Sequence, residues 1–260
     1  MSGEETTVDL NSDLGESYGI WVLGQDAAMM EYITSANVAC GFHAGDPSVM
    51  RRTVRLAREK GVAVGAHPGY PDLWGFGRRA MALSRQEIVD AVVYQVGALQ
   101  AIARAEGVPV LYVKPHGALY NQAERDPQAA EAVAEAVQQA GSRLALVGPP
   151  GSALAAAAAA RGLAFVPEVF ADRAYDDEGR LVPRDRPGSV ITDVGAVARR
   201  AVEMVQRAEV RSVGGRVLPL TVGTICLHGD TPGAPELARA VRTSLESAGV
   251  RVRAFARCRG

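Results

Sequence analysis

The 260-residue chain is poor in the features that mark disulfide scaffolds, nucleic-acid binders and membrane spans. Its three cysteines, Cys40, Cys226 and Cys258, are odd in number and widely separated, with no C-x-x-C pair, which argues against a disulfide framework or a structural zinc site. A net charge of -1, from 28 basic and 29 acidic residues, provides no field to gather nucleic acid or an anionic membrane, so a small molecule or a protein is the expected partner. No run reaches the roughly 18 apolar residues that a bilayer span requires, and the N-terminal "MSGEETTVDLNSDLGE" is acidic where a secretion signal is basic and then apolar. A cytoplasmic protein with reduced thiols is the resulting expectation. Also missing are a G-x-x-x-x-G-K-[ST] phosphate loop, a G-x-G-x-x-G fingerprint after a strand and a G-x-S-x-G nucleophile elbow.

What is present is a rhythm of short β-rich runs and longer helical patterns, the signature of βα units on a parallel sheet. Strands are predicted near Thr7 to Asn11, Asn37 to Cys40, Ala63 to Ala66, Val110 to Lys114, Leu144 to Val147, Ala164 to Glu168 and Gly223 to Leu227. Helices are predicted over Ser48 to Lys60, Ser84 to Glu106, Pro127 to Ala140, Gly195 to Glu209 and Pro235 to Ala248, before a last β-like run at Val250 to Phe255. Asp46-Pro47 and the capping box Ser84 to Glu87 mark helix starts, and the glycines of "EKGV", "AEGVPV", "QAGS" and "SAGV" mark left-handed helix ends. The alanine run in "SALAAAAAARG" suits a surface helix. With no linker in the sequence, residues 1–260 are expected to form a single α/β domain, a (β/α) barrel of seven or eight mainly parallel strands.

All four histidines follow predicted strands, in "NVACGFHAGD", "AVGAHPGYPD", "YVKPHGALY" and "TICLHGD". In a βα barrel those positions ring the mouth where active sites form, which makes His43, His67, His116 and His228 candidates for proton transfer or metal ligation. The run "DLNSDLGES" adds Asn11, Asp13 and Glu16, while Glu168, Asp172, Asp46 and Asp230 follow other strands. Clustered carboxylates raise one another's pKa or bind a cation. Asp46 and Asp230 are explained equally well as helix caps or turn residues, and Asp9 is expected to point away from the site. Lys114 and Arg173 are the candidate anion stabilisers. Two long segments, "HPGYPDLWGFGRRAM" and "FADRAYDDEGRLVPRDRPGSV", have the length of lids. The cysteines, among small apolar neighbours, are expected to be core residues.

The motifs "DLNSDLGES", "NVACGFHAGDP", "GAHPGYPDLWGFGRR", "VKPHGALYN", "EVFADRAY" with "LVPR", and "CLHGD" together resemble the LamB/YcsF family and cover nearly the whole chain. The resemblance implies a distorted TIM-like barrel similar to the glycoside hydrolase/deacetylase superfamily. It implies the role of the A component in an ATP-dependent 5-oxoprolinase, working with subunits B and C to open 5-oxo-L-proline to L-glutamate, with ATP, and Mg2+ on its phosphates, as co-substrate. On that basis Asp13, Glu16, His43, Lys114 and His116 are the expected catalytic residues, and Asn11, His67, Glu168, Arg173 and His228 line the substrate. His43, His67, His228 and Glu168 are the candidate ligands for any site metal. A stand-alone metal-dependent amidase or carbohydrate deacetylase is the alternative, since the same residue types can activate water on a cation without ATP. A noncatalytic ligand-binding component is a third option.

Overall fold

The computed structural model describes residues 5–229 and 233–256. Its strands are β1 (Thr7–Leu14), β2 (Ser35–Ala39), β3 (Ala63–His67), β4 (Val110–Val113), β5 (Ala145–Gly148), β6 (Phe165–Phe170), β7 (Glu209–Arg211), β8 (Val217–Pro219), β9 (Thr224–Cys226) and β10 (Arg251–Val252). The helices are α1 (Asp26–Met29), α2 (Pro47–Lys60), α3 (Arg85–Ala105), α4 (Gly117–Arg125), α5 (Pro127–Ala140), α6 (Ala153–Ala160), α7 (Val194–Arg207) and α8 (Ala234–Ser247).

Strands β1, β2, β3, β4, β5, β6 and β9 pair side by side in parallel, and β9 pairs back onto β1, closing a seven-stranded barrel. The expectation of seven or eight mainly parallel strands is met, with closure carried by seven. β10 adds only Arg251 and Val252 to the start of β1, a shorter element than the predicted Val250 to Phe255 run. Three elements were not anticipated: α1, α4 and the antiparallel β7–β8 hairpin. For α4 the reason is local, because its N-cap is His116, which makes no side-chain cap bond and so leaves no capping signal in the sequence.

The expected helix starts are present: Asp46 accepts from the amides of Ser48 and Val49, and Ser84 forms a reciprocal capping box with Glu87. Gly61, Gly107 and Gly249 are left-handed as expected, but Gly141, at φ 167°, is extended, so the predicted left-handed end fails there. The alanine-rich α6 is less a surface helix than expected, since Leu154, Ala157 and Ala158 are buried. Among the described residues α3 alone is long and apolar enough, by length and composition, to cross a membrane. It carries Glu87, Asp90 and Arg104, and its buried Gln95 bonds both the amide and the carbonyl of Gly69, contacts that fit a helix packed on the barrel.

Strand alternation separates two interiors. Val8, Leu10 and Leu14 of β1, Ala36 and Val38 of β2, and Val113 of β4 join the large apolar core that includes residues of the surrounding helices. Each such valine or leucine side chain removed from water contributes about 1.5–3 kcal/mol. The alternate residues Asp9, Asn11 and Asp13, Ser35 and Asn37, and Tyr112 are hydrogen-bonded to one another inside the barrel. Barrel interiors are usually filled with branched apolar side chains. This one is polar along β1 and β2, with smaller apolar clusters of Tyr112, Ala145 and Val147 and of Tyr120, Phe170 and Cys226, and Gly65 makes room for the Tyr112 ring: a Cβ there would lie 2.1 Å from it.

Candidate active site

The polar interior is a ladder from floor to mouth. At the floor Asp9 accepts hydrogen bonds from Thr34 and Ser35 at 2.6 Å each and from Thr224 at 2.5 Å. Burial outweighs those bonds and pushes its pKa up to about 6. Asp9 therefore does not point away from the site, as alternation within a strand with Asn11 and Asp13 requires. It lies beneath them. Asn11 donates to Thr224 at 2.7 Å and to Glu168 at 3.0 Å, and Asn37 donates to Asn11 and Asp13 at 2.7 and 2.8 Å. Tyr112 donates to Asn37 at 2.7 Å.

Lys114 stands at the centre. Its Nζ lies 3.0 Å from Asp13, 2.9 Å from Glu168, 3.3 Å from Asn11 and 3.1 Å from the Cys226 sulfur. Burial alone would depress its pKa, but Asp13 and Glu168 hold it well above the ordinary lysine value. Burial likewise opposes ionisation of Asp13, while His67 and Lys114 hold its carboxyl well below the usual range. Tyr120 completes Glu168 with a 2.8 Å bond.

Above this ladder three histidines and a glutamate meet. His67 ends β3, His43 lies in the turn after β2, and His116 leads from β4 into α4, so three separate strand ends deliver them. Glu16, His43, His67 and His116 are all buried, with one donor atom of each within 4.8 Å of the others. The His43 and His116 rings stack at 3.8 Å with a 5° interplanar angle, and His67 meets His116 edge-on at 4.8 Å. Burial, reinforced by the neighbouring histidines, pushes His43 well below the ordinary imidazole value and His116 down to about 3. His67 Nδ1 faces the Lys114 carbonyl at 2.7 Å, and its Nε2 lies 3.0 Å from His116 Nδ1 and 3.3 Å from Asp13. Asp13 is the more open carboxylate, its side chain 18% exposed against 7% for Glu16.

The 67–81 segment already covers this cluster. Asp72 is tied to Arg79 and to the Gly75 amide, and its pKa is lowered to about 2, chiefly by the arginine. Phe76 adopts φ 55°, a left-handed conformation unusual for a bulky residue, and its carbonyl faces His116 Nε2 at 2.8 Å. Gly77 permits the close approach, since a Cβ there would meet His43 at 2.8 Å and His116 at 2.9 Å.

The other side of the mouth is built differently. His228 Nδ1 lies 2.6 Å from Asp172, and its ring stacks on Phe170 at 5.8 Å. Burial opposes ionisation of Asp172, but His228 and Arg173 hold its pKa below the ordinary value. Arg173 is directed at its own loop: it donates to Ser189 O at 3.2 Å and Val182 O at 2.6 Å. Arg200 donates to the carbonyls of Ala171 and Arg173, which pins the second long segment from outside. That segment is held by internal bonds where a loose lid was expected.

The sequence-derived residues are thus regrouped. Asn11, Asp13, Lys114 and Glu168 form the ladder, and Glu16, His43, His67 and His116 form the cluster. The four metal candidates do not stay together: His43 and His67 belong to the cluster, Glu168 is held by Lys114, Asn11 and Tyr120, and His228 pairs with Asp172. Among the described residues no hydrogen bond joins Arg173 to the cluster. Asp46 is a helix cap that also accepts from the Gly19 amide, and Asp230 lies outside the described residues. Cys40 and Cys226 are buried free thiols, Cys40 pushed up to about 12 by burial, and Cys258 lies outside the described residues. Sequence reasoning missed Asn37, Tyr112, Tyr120 and Thr224. Period-two polarity, as in Ser35/Asn37 and Tyr112/Lys114, was the signal available for most of them. A cavity of about 460 Å3 among Thr34, Arg58, Val108 and Val252 lies at the opposite strand ends and contains neither carboxylate nor histidine, so it does not locate the chemistry.

A sequence profile of the LamB/YcsF family matches residues 8–260. The chain is 54% identical to the A component of 5-oxoprolinase from Streptomyces coelicolor, over 96% of this chain and 100% of that protein. Among solved structures, a lactam utilization protein from Thermus thermophilus is 51% identical and superposes with a TM-score of 0.92, covering 96% of this chain and all of that one. A polysaccharide deacetylase from Bacillus cereus, 12% identical with a TM-score of 0.50 over 98% of this chain and 94% of its own, shares the fold alone.

Proposed function

The chain belongs to the LamB/YcsF family, and from that premise we propose that it is the A component of a 5-oxoprolinase, opening the lactam of 5-oxo-L-proline to L-glutamate. The observation that carries this is identity above 50% along the full length of relatives bearing that name. In the proposed assembly, subunits B and C join this chain in the cytoplasm. ATP, with Mg2+ on its phosphates, is hydrolysed to ADP and phosphate as co-substrate. Ile20, Trp21, Val22 and Trp74, strongly exposed on the segments after β1 and β3, suit a chain that assembles with others.

A five-membered lactam is a resonance-stabilised amide, so opening it requires a polarised carbonyl, an oriented water and a proton for the leaving nitrogen. Asp13, the more open carboxylate at the mouth, orients the water with Glu16. Lys114, fixed between Asp13 and Glu168, supplies the positive charge toward which an oxyanion develops. His67, 3.3 Å from Asp13 and 3.0 Å from His116, is placed to pass a proton between them. His43 and His116, kept neutral by burial, complete that relay. Asn11 and Glu168 hold the ladder beneath the substrate, and His228 lines the far wall. ATP can activate the lactam by phosphorylating its oxygen.

The buried Glu16 and histidine cluster favours one second reading, a metal-dependent amidase that needs no ATP. Glutamate and phosphate release from 5-oxoproline, measured with the chain alone, with subunits B and C, and with a chelator, separates the two. Dependence on ATP and partners is expected, and ATP-independent turnover by the isolated chain selects the second reading.

A further inference from the structure

We infer that Glu16, His43, His67 and His116 bind one divalent transition-metal ion at the barrel mouth. Hydrogen placement is the starting point. A carbonyl oxygen only accepts, so His67 carries its proton on Nδ1, toward Lys114 O at 2.7 Å, and His116 carries its proton on Nε2, toward Phe76 O at 2.8 Å. In neutral rings, His67 Nε2 and His116 Nδ1 are then lone pairs facing one another at 3.0 Å. That contact requires a positive centre, either a shared proton or a metal ion.

His43 decides between them. Among the described residues its two ring nitrogens are buried without a hydrogen-bond partner, although the ring is stacked on His116. A proton between His67 and His116 leaves both of those atoms unsatisfied, at a cost of about 1–3 kcal/mol each. A metal ion engages one of the two, Nε2 on the Glu16 side, and so removes half of that cost. The carboxylate is in place too, with Glu16 Oε1 lying 3.9 Å from His43 Nε2 and 3.9 Å from His116 Nδ1. Donors bound at about 2.1 Å in a tetrahedral site are about 3.4 Å apart, and the 3.0 and 3.9 Å separations straddle that value.

The surroundings match what metal-binding histidines require. Backbone carbonyls fix the far nitrogens of His67 and His116, which sets tautomer and ring orientation. The strained Phe76 provides one of those carbonyls. Three imidazoles and one carboxylate suit Zn2+, Co2+ or Mn2+ and disfavour Mg2+, which prefers oxygen donors and retains water. The ion and the proton relay proposed above use the same lone pairs, His67 Nε2 and His116 Nδ1, so an occupied site replaces the relay through those two atoms; participation of the ion in lactam opening rests on the function proposed above, and its binding does not.

The test is equilibrium dialysis of the full chain against Zn2+, Co2+ and Mg2+, with the bound metal measured by mass spectrometry. One equivalent of Zn2+ or Co2+ is expected, with Mg2+ readily displaced and a visible Co2+ spectrum typical of nitrogen ligation. His43→Ala, His116→Ala and Glu16→Gln should each weaken Kd by more than the roughly 10–100-fold that loss of an outer partner costs, while His228→Ala leaves it unchanged. Circular dichroism checks the fold of each variant, and the Co2+ spectrum of the unsubstituted chain stands whether or not a variant folds. Absence of stoichiometric binding, an oxygen-only Co2+ spectrum, or ligand substitutions that leave Kd unchanged would overturn the site. Because the readout is binding, its failure leaves the 5-oxoprolinase reading standing, and failure of lactam hydrolysis leaves the metal site standing.

Discussion

Two histidine environments face each other across the barrel mouth, and their sequence contexts are alike. His43, His67 and His116 crowd together with Glu16, whereas His228 has its own carboxylate, Asp172, at 2.6 Å. The first group packs three imidazoles and a carboxylate together, with the Arg78 charge near enough to help depress His43 and His116. The second is a paired unit beside a loop that Arg173 and Arg200 tie down. A strand-end histidine is therefore a position, and its neighbours from other strands give it a role. Lys114 joins the two sides, bonding Asp13 of β1 and Glu168 of β6.

Removing that link should have the largest effect. Lys114→Met leaves two buried carboxylates without their cation, and the expected loss is about 3–5 kcal/mol of unfolding free energy in urea titration, together with activity. Retention of wild-type stability would mean the two sides are independent. Next, His116→Ala in the assembled enzyme should lower kcat by about 10²–10⁴-fold, the range for a proton-transfer group. His228→Ala should instead raise KM by roughly tenfold, about 1.4 kcal/mol of binding. Equal kcat losses would erase the distinction.

Asp9 lies under both sides and sharpens the comparison through pH. Its folded pKa, about 6 against an ordinary 3.8, means that the folded state binds this proton more tightly than the unfolded chain does. Its contribution is therefore complete below about pH 4 and lost as pH rises through about 6, a change of about 3 kcal/mol. Urea titrations from pH 4 to 8 should show that decline in the wild type and not in Asp9→Asn; parallel profiles would refute it. The smallest change in folding stability is expected at Arg200→Ala, which frees the carbonyls of Ala171 and Arg173 and costs about 2 kcal/mol. Limited proteolysis should then cut within 171–191 faster than in the wild type, while the cluster keeps its ligand affinity.

Much of the frame was legible because its signals are local. The Asp46 and Ser84 caps and the Gly61 helix end each act within a few residues, and the structure repeats them. Period-two polarity in "DLNSD" and "YVKPH" likewise pointed inward, because a strand alternates its faces whatever surrounds it. The same rule placed Asp9 inside, against the expectation that it faces away. The partners of Arg173 were hidden for the opposite reason: the carbonyls that it holds lie 9 and 16 residues away in the chain, beyond any local signal.

By itself, then, the sequence determined the βα order, the helix starts and the delivery of four histidines to strand ends, since hydrophobic periodicity and capping depend on neighbours along the chain. Only the tertiary structure decided which histidines meet. Barrel closure between β9 and β1, the Tyr112 ring seated over Gly65, and the Phe76 carbonyl turned onto His116 are contacts between distant residues. Electrostatic role follows from such contacts, because a pKa or a ligand set is fixed by the charges and dipoles within a few ångströms in space, and these come from several different strands.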